Sequence, residues 1–122
     1  MDKLKRLTKA EEEIMQIIWR LERCTVSDIL DDIGDPKPPH SSISSIVRIL
    51  EKKGFVNHKA FGRTHEYFHV VAKSEYSKFT LKKMVGDYFD GSVNNLVSFI
   101  VEENDLSVKE IGELLEKLSK EK

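Results

Sequence analysis

"SSISSIVRILEKKGF", residues 41–55, sets Ile43, Ile46, Val47 and Leu50 at i, i+3, i+4 and i+7 and then meets Gly54. The spacing predicts an amphipathic helix with a serine capping its front and Gly54 in the left-handed position that closes it. At 100° per residue, the face opposite the apolar stripe carries Ser41, Ser45, Arg48 and Lys52. Ser44 and Ile49 lie on the flanks of that face, and Ser42 belongs to the same polar N-terminal half. A solvated helix face is the ordinary reading of such a stripe. Helix interiors disfavour serine, however, and hydroxyls stand here where Glu or Lys is the usual choice. Small hydroxyls permit close approach to another surface, and an arginine can donate two hydrogen bonds to guanine O6 and N7.

Upstream, Thr8 and Glu11 have capping-box spacing, and Ile14, Ile17, Ile18 and Leu21 follow at helical intervals, predicting a first helix over 8–23. A short second helix is read from "TVSDILDDIGD", capped by Thr25 or Ser27, burying Ile29, Leu30 and Ile33, and closed by Gly34. The prolines of "GDPKPPH" force a turn before the helix at 41–55.

Downstream, the period changes from helical to alternating. "FVNHKA" and "HEYFHVV" are rich in β-branched and aromatic residues and flank "FGRT" with its turn glycine, so they predict a β-hairpin. This reading decides the chemistry of His65-Glu66-Tyr67-Phe68-His69, which has the H-E-x-x-H form of a zinc-protease site. That chemistry needs a helix, where i and i+4 share a face. On a strand the two imidazoles lie ~13 Å apart, too far for one tetrahedral zinc. No His or Cys follows His69 to supply a third ligand. No metal site, cofactor or catalytic residue is therefore assigned: the chain lacks a phosphate-binding glycine motif, and Cys24 falls in the turn after the first helix without a partner base.

Three helices followed by a hairpin with Lys59 and Arg63 near its tip describe a winged helix-turn-helix, in which the third helix enters the major groove and the wing reaches phosphate or minor groove. The charge distribution agrees. Residues 37–73 hold 7 Lys and Arg against 2 Asp and Glu, whereas 1–36 hold 6 against 9 and 74–122 hold 7 against 10. A chain of net charge −1 thus carries a basic middle third, the footprint expected of a phosphate-facing surface. The lone cysteine fits a reducing cytoplasm, no apolar run approaches the ~20 residues of a membrane span, and the N-terminal stretch lacks a signal-peptide hydrophobic region. The expected setting is cytoplasmic, without membrane insertion.

The fold class expected is mainly α with a small β-hairpin wing: a winged-helix DNA-binding domain over 1–72 and a helical dimerisation domain over 73–122. In the second part, one helix sets Phe79, Leu81, Met84, Val85, Tyr88 and Phe89 on a broad apolar surface before Asp90-Gly91. The next, "SVNNLVSFIVEEN", is apolar nearly all round through Leu96, Val97, Phe99 and Ile100. A third begins with a Ser107 to Glu110 capping box and carries Ile111, Leu114, Leu115 and Leu118. Roughly fifty residues are few for an independent core, so these side chains are read as a homodimer interface.

The stretches "LTKAEEEIMQIIW" (7–19), "SSISSIVRILEKKGFVNHK" (41–59), "HEYFHVV" and "NNLVSFIVEENDLSVKEIGELLEKL" (94–118) together resemble the penicillinase and methicillin-resistance repressors of the BlaI/MecI/CopY type. The resemblance implies a dimeric transcriptional repressor on a dyad-symmetric double-stranded operator, controlling a β-lactam-resistance type operon. It also implies induction by cleavage in the dimerisation domain, with a membrane sensor-protease upstream. Three departures stand out. Resistance-branch members are cut between an Asn and a Phe, but the matching bond here joins Phe99 to Ile100. The family's third helix usually reads Thr-Val-x-Thr with an Arg before its final Leu, whereas this chain has Ser42-Ile43-Ser44-Ser45, with Ile49 in place of that Arg. The Cys-x-Cys site of the copper-responsive relatives is absent from "KLSKEK". Two other functions compete. A protein-interaction adaptor should have a non-basic third helix and wing, unlike Lys52, Lys53, Lys59 and Arg63. A ligand-responsive winged-helix regulator would use Phe79, Tyr88, Phe89 and Phe99 to line a pocket, although their helical spacing suits packing.

Overall fold

The computed structural model describes residues 4–104, 107, 109, 110, 112, 113 and 116. The first helix, α1 (Lys9–Leu21), starts on the expected capping box: Glu11 N–H donates to Thr8 Oγ1 at 3.2 Å, and Thr8 N–H donates to Glu11 Oε1 at 3.0 Å. Its end comes earlier than expected. Glu22 turns the backbone to φ 70°, and Arg23–Cys24 forms a strand, β1, rather than a last helical turn. Helix α2 (Val26–Ile33) is capped by Thr25, whose hydroxyl accepts from Asp28 N–H at 3.1 Å, and closes at Gly34 with φ 80°.

Helix α3 (His40–Lys52) departs from expectation at its front. Pro39 is the cap, no serine side chain bonds there, and His40 opens the helix. The fixed φ of proline, −60° here, already suits entry into a helix, so Pro39 starts α3 where a serine was expected to. At the other end the expected closure is present: Gly54 lies at φ 87°, its N–H reaches Glu51 O at 3.0 Å, and Phe55 N–H reaches Leu50 O at 2.9 Å. These two bonds make a Schellman motif, with Phe55 and Leu50 fully buried beside it.

The hairpin is β2 (Val56–Phe61) and β3 (Thr64–His69), joined by Gly62 and Arg63, with Gly62 at φ 63°. Strand order is β1-β3-β2, all antiparallel, with Cys24 opposite Tyr67 and His58 opposite Tyr67 from the other side. Sequence reading missed β1 because two residues show no alternation. Cys24 lies in that strand, not in a turn, and is buried. Burial and the nearby Asp28, Glu66 and Asp32 carboxylates push its thiol up to about 11. It should therefore resist thiol reagents at neutral pH until the protein unfolds, as labelling followed by mass spectrometry with and without denaturant will show.

Ile14, Met15 and Ile18 from α1, Ile29 from α2, Ile43, Val47 and Leu50 from α3, Phe55 from the turn after it, and Val56 and Tyr67 from the hairpin share one core. The start of α4 (Lys73–Tyr88) completes it. Tyr76 sets its ring edge-on to Phe55 at 5.4 Å, and its hydroxyl accepts from Leu7 N–H at 3.0 Å. Trp19 Nε1–H donates to Val71 O at 2.9 Å. Two compact units result, divided between Phe79 and Thr80. In the second, Asp90 and Gly91 take φ of 53° and 74°, and Ser92 Oγ accepts from Asn95 N–H at 3.1 Å to cap α5 (Val93–Asn104). Beyond it Ser107 and Glu110 make the expected reciprocal capping bonds, at 3.3 and 3.1 Å.

Candidate nucleic-acid interface

Burying Ile43, Val47 and Leu50 turns the opposite side of α3 outward. Ser41, Ser42, Ser45, Arg48 and Lys52 are exposed there, while Ser44 is half-buried with its Oγ 3.3 Å from His40 Nδ1. Ile49, a large aliphatic residue in this polar setting, is 43% exposed. Lys53, which the sequence grouped with the basic surface, points inward instead. Its Nζ lies 2.6 Å from Glu11 Oε1 and tethers the end of α3 to the start of α1.

On the wing, strand alternation puts His58, His65 and Tyr67 on one face. His58 Nδ1 is 2.9 Å from Glu51 Oε1, which ties that face to α3. The rings of His58 and His65 stack at 4.1 Å with 14° between their planes. Tyr67 is buried against them, and burial first, then Glu51, pushes its phenol up against the opposing pull of Arg48, keeping a neutral hydroxyl. His65 and His69 lie on this strand and not on a helix, so the i, i+4 geometry of a zinc protease is not formed.

A cleft of about 330 Å³ opens between these elements. Thr25, Val26 and Ser27 line it from the start of α2, His40, Ser44 and Arg48 from α3, and Arg63, Thr64, His65 and Tyr67 from the wing. Arg48 and Arg63, chosen from sequence, are thus brought together. Lys59 is not: it sits on the other face of the hairpin, with its Nζ 5.7 Å from the centre of the Phe61 ring. Among the described residues no carboxylate lies within ion-pair distance of Arg48, Lys52, Lys59 or Arg63. That leaves their charge for an outside anion. The first turn of α2, His40 and His65 went unassigned at the sequence level. The clustering of all four histidines in the basic third was the available signal, but only the fold brings α2 to them.

The side chains read as a dimer interface divide. Phe79 packs on the N-terminal core, its ring 5.7 Å from Tyr76. In the second unit Val85 is buried, and Phe89, Leu96, Val97 and Ile100 are half-buried. Leu81, Met84 and Tyr88 are exposed, Tyr88 by 76%. Phe99 is half exposed in the middle of α5, its ring 5.4 Å from Phe89. Ile111, Leu114, Leu115 and Leu118 fall outside the described residues. No helix among the described residues is long and apolar enough to cross a membrane.

Comparison with known proteins places this geometry. Residues 7–120 match the family described as penicillinase repressor. The chain is 32% identical over 115 residues to the methicillin resistance regulatory protein MecI of Staphylococcus aureus, covering 93% of this chain and 94% of that protein. It is 26% identical over 124 residues to the penicillinase repressor of Bacillus licheniformis, covering 100% and 96%. Among solved structures, the DNA-binding domain of the repressor BlaI matches with a TM-score of 0.53 at 26% identity, covering 62% of this chain and 94% of that one. The Bacillus licheniformis BlaI monomeric form in complex with the blaP half-operator matches with a TM-score of 0.51 at the same identity and coverage.

Proposed function

From the premise that the chain belongs to the penicillinase repressor family, we propose that it represses transcription by binding operator DNA and controls a β-lactam-resistance type operon. The observation that carries the reading is the cleft in which the start of α2, the polar face of α3 and the wing bring Arg48 and Arg63 together. Helix α3 lies in the major groove. Its serines allow close approach, and Arg48 reads a base edge. Arg63 and the first turn of α2 hold the flanking phosphates.

The protein works as a homodimer on a dyad-symmetric site. The exposed Leu81, Met84 and Tyr88 supply an apolar face for a second copy, and twofold symmetry sets two α3 helices about 34 Å apart, one turn of DNA. Induction proceeds by cutting the bond between Phe99 and Ile100 through an upstream membrane sensor-protease. That bond lies inside α5, so cleavage requires the helix to open locally, and the cut weakens the dimer.

Selection of random duplex DNA by the purified protein tests the reading. Enrichment of a palindrome with half-sites one turn apart supports it, and no enrichment from folded, dimeric protein refutes it in favour of an interaction module. On the selected site, Arg63→Ala should weaken all sequences alike and reduce the slope of log affinity against log salt by about 0.9 for each phosphate that is no longer neutralised. Lys59→Ala, on the far face of the wing, should change the slope by less than half as much; equal effects would mean that DNA covers both faces.

A further inference from the structure

We propose that Ile49 is a specificity-determining residue that reads the 5-methyl group of a thymine in each half-site, an inference that rests on the operator-binding reading above. Of the apolar residues of α3, Ile43, Val47 and Leu50 are fully or almost fully buried and Ile46 is half-buried, whereas Ile49 is 43% exposed. At 100° per residue it lies 40° from Ser45 and 20° from Ser42, on the side of the helix that carries the small hydroxyls. Ser42 and Ser45, both exposed, are the residues that precede it on that side.

A single exposed aliphatic residue is ordinary on a protein surface. The surroundings of Ile49 make it informative. Arg48 and Lys52 flank it without carboxylate partners among the described residues, so the surface selects a polyanion rather than an apolar protein patch. In the major groove of that polyanion, the base edges present hydrogen-bond donors and acceptors, and the thymine 5-methyl is the one methyl group among them. An isoleucine pressed there is left facing unsatisfied polar edges unless a thymine lies beneath it, so burial of Ile49 discriminates by base. Arg48, the residue just before it in the chain, reads a guanine about one or two base pairs away, since adjacent Cα atoms are about 3.8 Å apart and base pairs about 3.4 Å.

The test replaces each thymine of the selected operator, one at a time, with deoxyuridine, which removes the methyl group alone. Affinities are measured for the full-length protein and for Ile49→Ala, which keeps a strong helix former in α3. One position per half-site should weaken the natural protein about four-fold, the equivalent of one buried methyl group, while Ile49→Ala is indifferent to the same replacement. Replacement that costs nothing at any position overturns the inference, as does a cost that Ile49→Ala shares, because another residue would then hold the methyl. In both cases the palindrome still enriches and Arg48→Ala still weakens binding, so operator recognition stands. If no DNA is enriched, the operator-binding reading falls and the inference falls with it.

Discussion

Arg48→Ala is expected to lose about 1–3 kcal/mol of operator affinity per half-site, roughly 5- to 150-fold, and to relax specificity at one base pair. Arg48 stands where the outward face of α3 meets the cleft shared with Arg63 and His65, and no carboxylate among the described residues engages its guanidinium. The free protein therefore holds Arg48 ready without breaking an ion pair. A bidentate contact to guanine and a phosphate contact differ in what lysine can replace. Arg48→Lys retains the charge and so the salt slope, but it loses the planar fork that matches O6 and N7. Binding of the natural operator and of a panel with each base pair replaced, measured at several salt concentrations, separates the two. If Arg48→Lys restores both affinity and the base preference, Arg48 contacts phosphate and the base readout lies elsewhere on α3.

The parts of this interface that sequence made legible are those fixed by local periodicity. The 3.6-residue stripe of Ile43, Val47 and Leu50 dictates which way Ser45, Arg48 and Lys52 point, and strand alternation settles that His65 and His69 cannot share a zinc. The capping box at Thr8 was legible for the same reason, since donor and acceptor lie three residues apart, whereas the second helix left Thr25 and Ser27 as alternatives and the structure chooses Thr25. What was hidden is tertiary. The strand at Arg23–Cys24 exists because β3 offers an unpaired edge, and the inward turn of Lys53 exists because Glu11 waits 42 residues upstream. Lys59 and Arg63 look equivalent in a string of letters, yet a two-residue turn and a pleat set them on different surfaces.

Lys53→Met is expected to be the most damaging single change to stability outside the apolar core, at about 2–3 kcal/mol, because it strands the Glu11 carboxylate. Glu11 is the one buried charged residue among the described residues, with its side chain 8% exposed against 22% for Lys53. Burial by itself raises the carboxyl's affinity for a proton. The Lys53 hydrogen bond at 2.6 Å, the Thr8 N–H and the Lys53 charge outweigh it and hold Glu11 below its ordinary value of 4.5. A folded-state value lowered in this way contributes stability above the ordinary value and loses it as pH falls through the lowered one. In Lys53→Met only the Thr8 hydrogen bonds still oppose the burial, so Glu11 is held down less firmly and the stability that the Lys53 pairing contributes above the lowered value is lost. The gap between the two proteins should therefore be widest near neutral pH and shrink between roughly pH 5 and pH 3, as urea titrations across that range will measure. Glu11→Leu combined with Lys53→Met should recover part of the loss, since removing both charges leaves no charge to desolvate, while Thr8 N–H, at the exposed start of α1, exchanges its carboxylate acceptor for water. A gap constant with pH, or no recovery in the double variant, would mean that Lys53 stabilises through its hydrogen bond to Arg6 O and its packing rather than through Glu11.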